Sequence, residues 1–375
     1  MKKILFIVNV DWFFVSHRLP IALEAIRQGY EVHIATMVTD KLDLLEKSGL
    51  IVHSLSLHRS RSGISILSEL WALLSIIKDI APDIVHLVTI KPVLLGGIAS
   101  RLASVPAVVS AISGLGFTFH GKGFIFSLRR KLISLFYYLS LGHMNQKIIF
   151  QNNDDKLKLS QIGKNINNRS VLIQGSGVDL SLYSVVENNF NSPVIMMAAR
   201  LLSSKGVREF VQASKIVRTN NKNVRFVLVG DTDPLNPESI KKSEISQWKE
   251  DGLVEIWGYR SDMSNVIPKA NVIVLPSYYG EGLPKVLIEA AACGRVVITT
   301  DHPGCRDAIT RKTGVLIPIK DSEALADAIL DLLQNPQKAI KMGEAGRALA
   351  EQKYAIEKVC EKHITIYKDL LTKTA

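Results

Sequence analysis

Two carboxylates eight residues apart, Glu281 and Glu289, carry the clearest chemistry in this 375-residue chain. Glu281 opens the Gly/Pro loop Glu281-Gly282-Leu283-Pro284, which follows the apolar run Val272-Ile273-Val274-Leu275 closed by Pro276 and Ser277. Glu289 falls about one and a half turns into a helix expected over 283–293, whose end is marked by the small residues Ala290 to Gly294. The first backbone N–H groups of a helix lack intrahelical partners and sit at the positive end of its macrodipole. A strand, a glycine loop and a helix start therefore make a seat for an anion such as a pyrophosphate, with Gly282, Leu283 and Pro284 at the seat. Glu281 then faces whatever that phosphate carries. Glu289, deeper on the same helix, can accept hydrogen bonds from a diol.

A second group bears charge of the opposite sign. Met196-Met197-Ala198-Ala199-Arg200-Leu201-Leu202-Ser203-Ser204-Lys205-Gly206 ends a buried strand with two cations and leads into a helix. Arginine grips a phosphate through two parallel N–H bonds, and lysine adds a mobile point charge. Aimed at a leaving pyrophosphate, such cations act as electrophilic catalysts. Asp231-Thr232-Asp233 has the form of a divalent-metal site but follows the strand Phe226–Gly230, and we expect no metal there. His302 and Cys305 are neighbours, and two ligands do not make a zinc site. In the first half, Val10-Asp11-Trp12-Phe13-Phe14-Val15-Ser16-His17-Arg18 follows the first strand, where a dinucleotide fold would place G-x-G-x-x-G. It has no glycine, which argues against an NAD oxidoreductase. Ser113-Gly114-Leu115-Gly116 lets the backbone approach a phosphate or an acceptor, and His17 and His120 are candidate acceptor contacts. His86 ends a strand and reads as packed.

The elements that must position these residues alternate along the whole chain. Strands are expected at 3–9, 30–36, 51–55, 83–88, 106–111, 146–151 and 170–174, with helices near 17–28, 40–48, 64–80, 92–104, 124–142 and 153–161. Gly175 to Asn191 is polar and Gly/Asn/Ser-rich, as a linker is. The pattern restarts with strands at 194–198, 224–229, 253–257, 271–275, 296–299 and 314–317, and helices near 204–218, 237–250, 262–268, 283–293, 321–334 and 337–350. A last helix is expected over 353–371. Alternation of this kind argues α/β, with parallel sheets covered by helices, and the length suits two domains, 1–180 and 193–352.

The net charge of +11 is uneven, for no acidic residue lies between Asp83 and Asp154 while seven cations do. Such a field seeks nucleic acid, anionic lipid or a phosphorylated acceptor. The cations are interleaved with apolar runs and no nucleic-acid-binding signature accompanies them, so nucleic acid is the weaker reading. Phe124 to Leu139 reads as an apolar helix carrying the cluster Arg129-Arg130-Lys131, a pattern that lies in a membrane interface; the alternative is a core helix with one wet edge. No uncharged apolar run of about 20 residues is present, so no spanning helix is expected. Nor is a signal peptide. Three scattered cysteines, Cys293, Cys305 and Cys360, suit a reducing cytosol.

Glu281 to Glu289, Arg200, Lys205, Pro82-Asp83 and Gly114-Leu115-Gly116 together resemble the retaining glycosyltransferases of family 4 (group 1), over nearly the whole chain. The likeness is to bacterial enzymes that extend undecaprenyl-diphosphate-linked sugars, such as alpha-1,3-N-acetylgalactosaminyltransferases. The resemblance implies the GT-B fold, two Rossmann-like domains facing across a cleft, with the last helix crossing back onto the first. It implies that Glu289 holds the ribose of a UDP-sugar, that Glu281 contacts the transferred sugar, and that Arg200 and Lys205 clamp the diphosphate in place of a metal. Arg260, in Gly258-Tyr259-Arg260-Ser261-Asp262, would stack on the base, and Tyr279 or Lys285 could touch the sugar. It also implies a polyprenyl-diphosphate-linked acceptor, no cofactor, and a cytoplasmic site at the inner face of the membrane. Two rivals are a GT-B nucleotide-sugar 2-epimerase and a non-catalytic, membrane-associated GT-B subunit. The epimerases use extra carboxylates in the first domain, where 84–153 has none. Intact Arg200, Lys205, Glu281 and Glu289 argue against a subunit that has lost activity.

Overall fold

Strands buried on both faces read as unbroken apolar runs, because helices cover each side of a parallel sheet. Ile4 to Val8 and Val272 to Leu275 are such runs, and all nine residues are buried. The computed structural model describes residues 1–55, 63–116, 124–163, 165–220 and 223–373, apart from the side chains of 63–65 and 124–126. Contacts divide it into one unit of Met1–Ser176 with Glu357–Ala375, and another of Gly177–Ile356.

The first unit has a sheet of β1 (Lys3–Val10), β2 (Glu31–Met37), β3 (Ile51–Ser54), β4 (Ile84–Val88), β5 (Ala107–Ile112), β6 (Gln146–Phe150) and β7 (Ser170–Leu172). Their order is β3-β2-β1-β4-β5-β6-β7, all parallel. The second unit has β8 (Val194–Ala198), β9 (Arg225–Val229), β10 (Glu255–Gly258), β11 (Val272–Leu275), β12 (Val296–Thr300) and β13 (Gly314–Ile317), in the parallel order β10-β9-β8-β11-β12-β13. Both sheets begin in the middle, grow outward on one side, then cross to the other side of the first strand. At that reversal the loops leaving neighbouring strands diverge and open a crevice beyond the carboxyl ends. In the second unit the reversal lies between β8 and β11, the strands that lead into Arg200 and Glu281.

The residues after β1 form a helix, Asp11–His17, where a loop was expected, and a second helix runs Leu19–Arg27. Asp11 ties the start of the first to the loop after β2. Its buried carboxylate accepts from the N–H groups of Trp12, Thr39 and Lys41. Pro20 explains the break, since it has no N–H to continue the ladder from the helix before it.

The segment expected to be a linker is mostly structure of the second unit. Val178 N–H donates to Tyr354 O at 2.8 Å, Ile356 N–H donates to Val178 O at 3.0 Å, and Leu180, Tyr183 and Phe190 pack on the unit's core. The helix Ile356–Thr372 then returns to the first unit, where the Tyr367 hydroxyl meets His86 Nδ1 at 2.6 Å and the His363 ring stacks on His86. His86 is fully buried, as its place on β4 suggests.

Candidate active site

The loop after β8 carries Arg200, turns through a short 3-10 segment, Ser203–Lys205, and ends at Gly206. It closes against the loop after β11: Tyr278 N–H donates to Ser204 O at 2.9 Å, and Ser277 Oγ lies 3.3 Å from the same carbonyl. Gly206 has φ +84°, and a β-carbon there would lie 2.6 Å from the Pro276 ring. Both the left-handed backbone and the close approach require glycine.

These two loops bring opposite charges together. Lys205 Nζ forms an ion pair with Glu281, and Ser277 Oγ donates to the same Oε1 at 3.0 Å. The side chains are only 13% and 10% exposed, so water screens the pair weakly. Ser277 is fixed from behind by Thr300 Oγ1, which donates to its carbonyl. The loop after β12 completes the wall. Gly304 has φ +83°, and a β-carbon there would fall 2.6 Å from Gly282 O and 2.7 Å from Glu281 O. Tyr279 links the cations: Lys205 Nζ lies 5.2 Å from its ring centroid, burial and the Glu281 charge raise its pKa, and Arg200 acts against that rise.

Arg200 is half exposed, and its Nη1 donates to Asp233 Oδ2 at 3.1 Å. Asp233 thus serves as a counter-ion to Arg200. Among the described residues no group of three or more His, Cys, Asp or Glu is placed to hold a metal ion.

The helix bearing Glu289 spans Lys285–Ala292, two residues shorter at its start than expected. Pro284 is the reason. A residue before proline is pushed out of the helical region, and Pro284 itself is extended, with ψ 125°. Pro284 also has no N–H, so it offers none to an anion. Gly282, Leu283 and Pro284 form a buried turn between Glu281 and the helix. Glu289 is buried one turn in; its Oε1 accepts from the Tyr183 hydroxyl at 2.7 Å and lies 3.3 Å from Lys285 Nζ. Burial and the Glu289 charge push the Tyr183 phenol pKa far up.

Arg260 stands apart from this group. It follows the edge strand β10 and is held by Asp262 through two bonds of 2.8 and 2.7 Å, which bring the Asp262 carboxyl down to about 2. In the first unit, Gly114 and Gly116 have left-handed φ values of +101° and +53° in the loop after β5. Arg18 Nη2 donates to Ser113 Oγ beside them at 3.4 Å. His17 stacks flat on Phe13 with ring centroids 4.1 Å apart. His120 lies outside the described residues. Arg129, Arg130 and Lys131 are exposed on the helix Phe124–Ser140.

Sequence reasoning missed Tyr183, Gly304, Asp233 as counter-ion, and Ser277 as a support for Glu281. Tyr183, Gly304 and Asp233 reach the site from other loops, and only the position of Ser277 at a strand end signalled anything.

A family described as "Glycosyl transferases group 1" matches residues 192–335, and one described as "Glycosyl transferase 4-like" matches residues 3–152. The chain is 26% identical to the N,N'-diacetylbacillosaminyl-diphospho-undecaprenol alpha-1,3-N-acetylgalactosaminyltransferase of Campylobacter jejuni, over 94% of this chain and 97% of that one. It is 28% identical to the UDP-Gal:alpha-D-GlcNAc-diphosphoundecaprenol alpha-1,3-galactosyltransferase of Escherichia coli, over 73% and 72%. Among solved structures, sucrose-phosphate synthase from Thermosynechococcus elongatus matches all of both chains with a TM-score of 0.80 at 20% identity, a likeness of fold.

Proposed function

We propose that this chain, which belongs to the group 1, family 4-like glycosyltransferases, moves a hexosamine or hexose from a UDP-sugar to a saccharide carried on a polyprenyl diphosphate, with retention at the anomeric carbon. Membership makes it a glycosyltransferase with the GT-B fold. The epimerase and non-catalytic readings are not favoured, since both relatives named above are transferases. The donor, acceptor and residue roles are our reading, supported by the relatives' names and by the site.

One observation carries the reading. Arg200, Lys205 and Glu281 stand at the carboxyl ends of β8 and β11, where the strand order reverses, and Glu289 lies one turn into the helix that follows. In that place a nucleotide diphosphate would meet Arg200 and Lys205, its ribose diol Glu289, and its sugar Glu281. The acceptor oxygen would form its bond to the anomeric carbon on the face from which UDP departs, as the bond from that carbon to the phosphate oxygen breaks. The acceptor proton would pass to a phosphate oxygen. Arg200 and Lys205 would stabilise the charge growing on UDP. Glu281 would hold Lys205 toward the diphosphate while contacting the sugar.

The acceptor would be met at a membrane surface. Leu128, Leu132, Leu135 and Tyr138 recur at helical spacing on the helix Phe124–Ser140, and each is more than half exposed. Arg129, Arg130 and Lys131 border this stripe. An exposed apolar stripe beside cations suits the headgroup boundary of an anionic bilayer. No described helix is long and apolar enough to cross a membrane. The site of action would be the inner face of the cytoplasmic membrane. A panel of UDP-sugars, assayed for UDP release with and without a lipid-diphosphate sugar, tests the reading. Acceptor-dependent release from one or a few donors is expected; free-sugar release without acceptor would overturn it.

A further inference from the structure

Tyr183 reaches Glu289 from a segment that looks, in sequence, like a connection between domains. Its hydroxyl and the Lys285 ammonium both address Oε1, and Oε2 has no hydrogen-bond partner among the described residues. The tyrosine is itself pinned on both sides. Its N–H donates to Asp179 O at 3.1 Å, and the Asp179 carboxylate accepts from Ser181 N and Oγ in the same turn. Its carbonyl accepts from Arg347 Nη1 at 2.7 Å. The same nitrogen donates, also at 2.7 Å, to the carbonyl of Ala292, the last residue of the Glu289 helix. One guanidinium thus ties the backbone of Tyr183 to the helix whose carboxylate its hydroxyl holds.

The terminal torsion of glutamate is broad, so an unheld carboxylate samples many orientations. Lys285 alone is a poor guide, being a point charge on a flexible stem. A phenol on a two-torsion ring, with its backbone clamped, is a rigid donor. We propose that Tyr183 is a positioning residue for nucleotide binding: it fixes Oε1 of Glu289 so that Oε2 is presented to the ribose diol of the donor. This rests on the reading of Glu289 as the ribose ligand. Holding the carboxylate before the ligand arrives removes an ordering cost from binding.

The test is Tyr183→Phe, which keeps the ring and removes only the donor. Calorimetry with UDP should show Kd raised about tenfold, equal to about 1.4 kcal/mol. The donor KM should rise in step, while kcat at saturating donor changes by less than about twofold, the pattern of lost ground-state binding. Discrimination between UDP and 2'-deoxy-UDP should shrink. In a Glu289→Ala background Tyr183→Phe should add no further loss, because its effect runs through that carboxylate. Wild-type UDP affinity in Tyr183→Phe, with affinity reduced in Glu289→Ala, would overturn the positioning role and leave the ribose reading standing. An equal loss in both backgrounds would mark a general packing defect and overturn it as well. Wild-type affinity in Glu289→Ala would instead remove the ribose reading on which the proposal rests.

Discussion

Lys205 and Glu281, 76 residues apart in the chain, form a nearly buried ion pair that joins the loops leaving β8 and β11. Neither charge is well placed without the other. Removing one partner of a buried pair strands the other in a medium that solvates it poorly, at a cost of about 3–5 kcal/mol. Glu281→Ala should therefore lower the unfolding free energy of the ligand-free protein by that order. Saturating UDP should stabilise the variant and the wild type by similar increments, leaving the deficit in place, because the two bind it alike. Turnover should fall sharply while UDP affinity stays close to wild type. Denaturant melts with and without UDP, beside steady-state rates, check all three.

Arg200 and Asp233 make a separable pair at the rim of the same site. Arg200→Ala should reduce kcat on the order of 10²-fold or more, the scale of losing one transition-state donor. Asp233→Asn should keep activity, since the arginine only loses a counter-ion, and activity should survive EDTA. Abolished activity in Asp233→Asn, together with EDTA loss and Mn²⁺ rescue in wild type, would promote Asp231 and Asp233 to metal ligands.

The helix Phe124–Ser140 should bind anionic surfaces. Each cation near such a surface contributes roughly 1 kcal/mol. Reversing Arg129, Arg130 and Lys131 to Glu should strip the protein from phosphatidylserine liposomes in a sedimentation assay, and wild-type binding should weaken as salt is raised. Activity on a short soluble acceptor should be spared. Co-sedimentation of the triple variant at the wild-type level would leave the segment as a core helix with a wet edge.

Burial gives the first unit a defined pH dependence. His363 is buried, and desolvation with the Arg18 charge brings its pKa down to about 3; burial likewise holds His86 well below the usual histidine range. The sign follows from proton counting. Below the unfolded value of about 6.5 the unfolded chain binds a proton at each site that the folded chain does not, so stability falls as pH drops from about 6.5 toward 3. Each such histidine adds a slope of about 1.4 kcal/mol per pH unit. His363→Phe, which keeps an aromatic ring beside His86, should reduce the slope of unfolding free energy between pH 6 and 5 by about one proton's worth. An unchanged slope would contradict the assignment.

What the sequence made legible was local. Ile4 to Val8 and Val272 to Leu275 are unbroken apolar runs, and only strands covered on both faces need them. Arg200, Lys205 and Glu281 could be placed at strand ends for the same reason. The start of the Glu289 helix was misjudged because apolar spacing continues through Leu283, while the backbone obeys Pro284. Tyr183 was invisible: its partner lies 106 residues away, and a single hydroxyl in a polar stretch leaves no periodic trace. Asp233 shows the converse. Its D-x-D has the form of a metal site, read from its place after a strand as none, and what the sequence could not show is the Arg200 guanidinium that the fold brings to it.

The most direct measurement of the central claim is calorimetry of UDP binding to the wild type and to Glu289→Ala, both in EDTA. If Glu289 accepts hydrogen bonds from the ribose, the variant should bind UDP about 1.5–3 kcal/mol more weakly, the range for bonds to a charged group. Equal affinity in the two proteins would contradict a nucleotide seat at the reversal between β8 and β11.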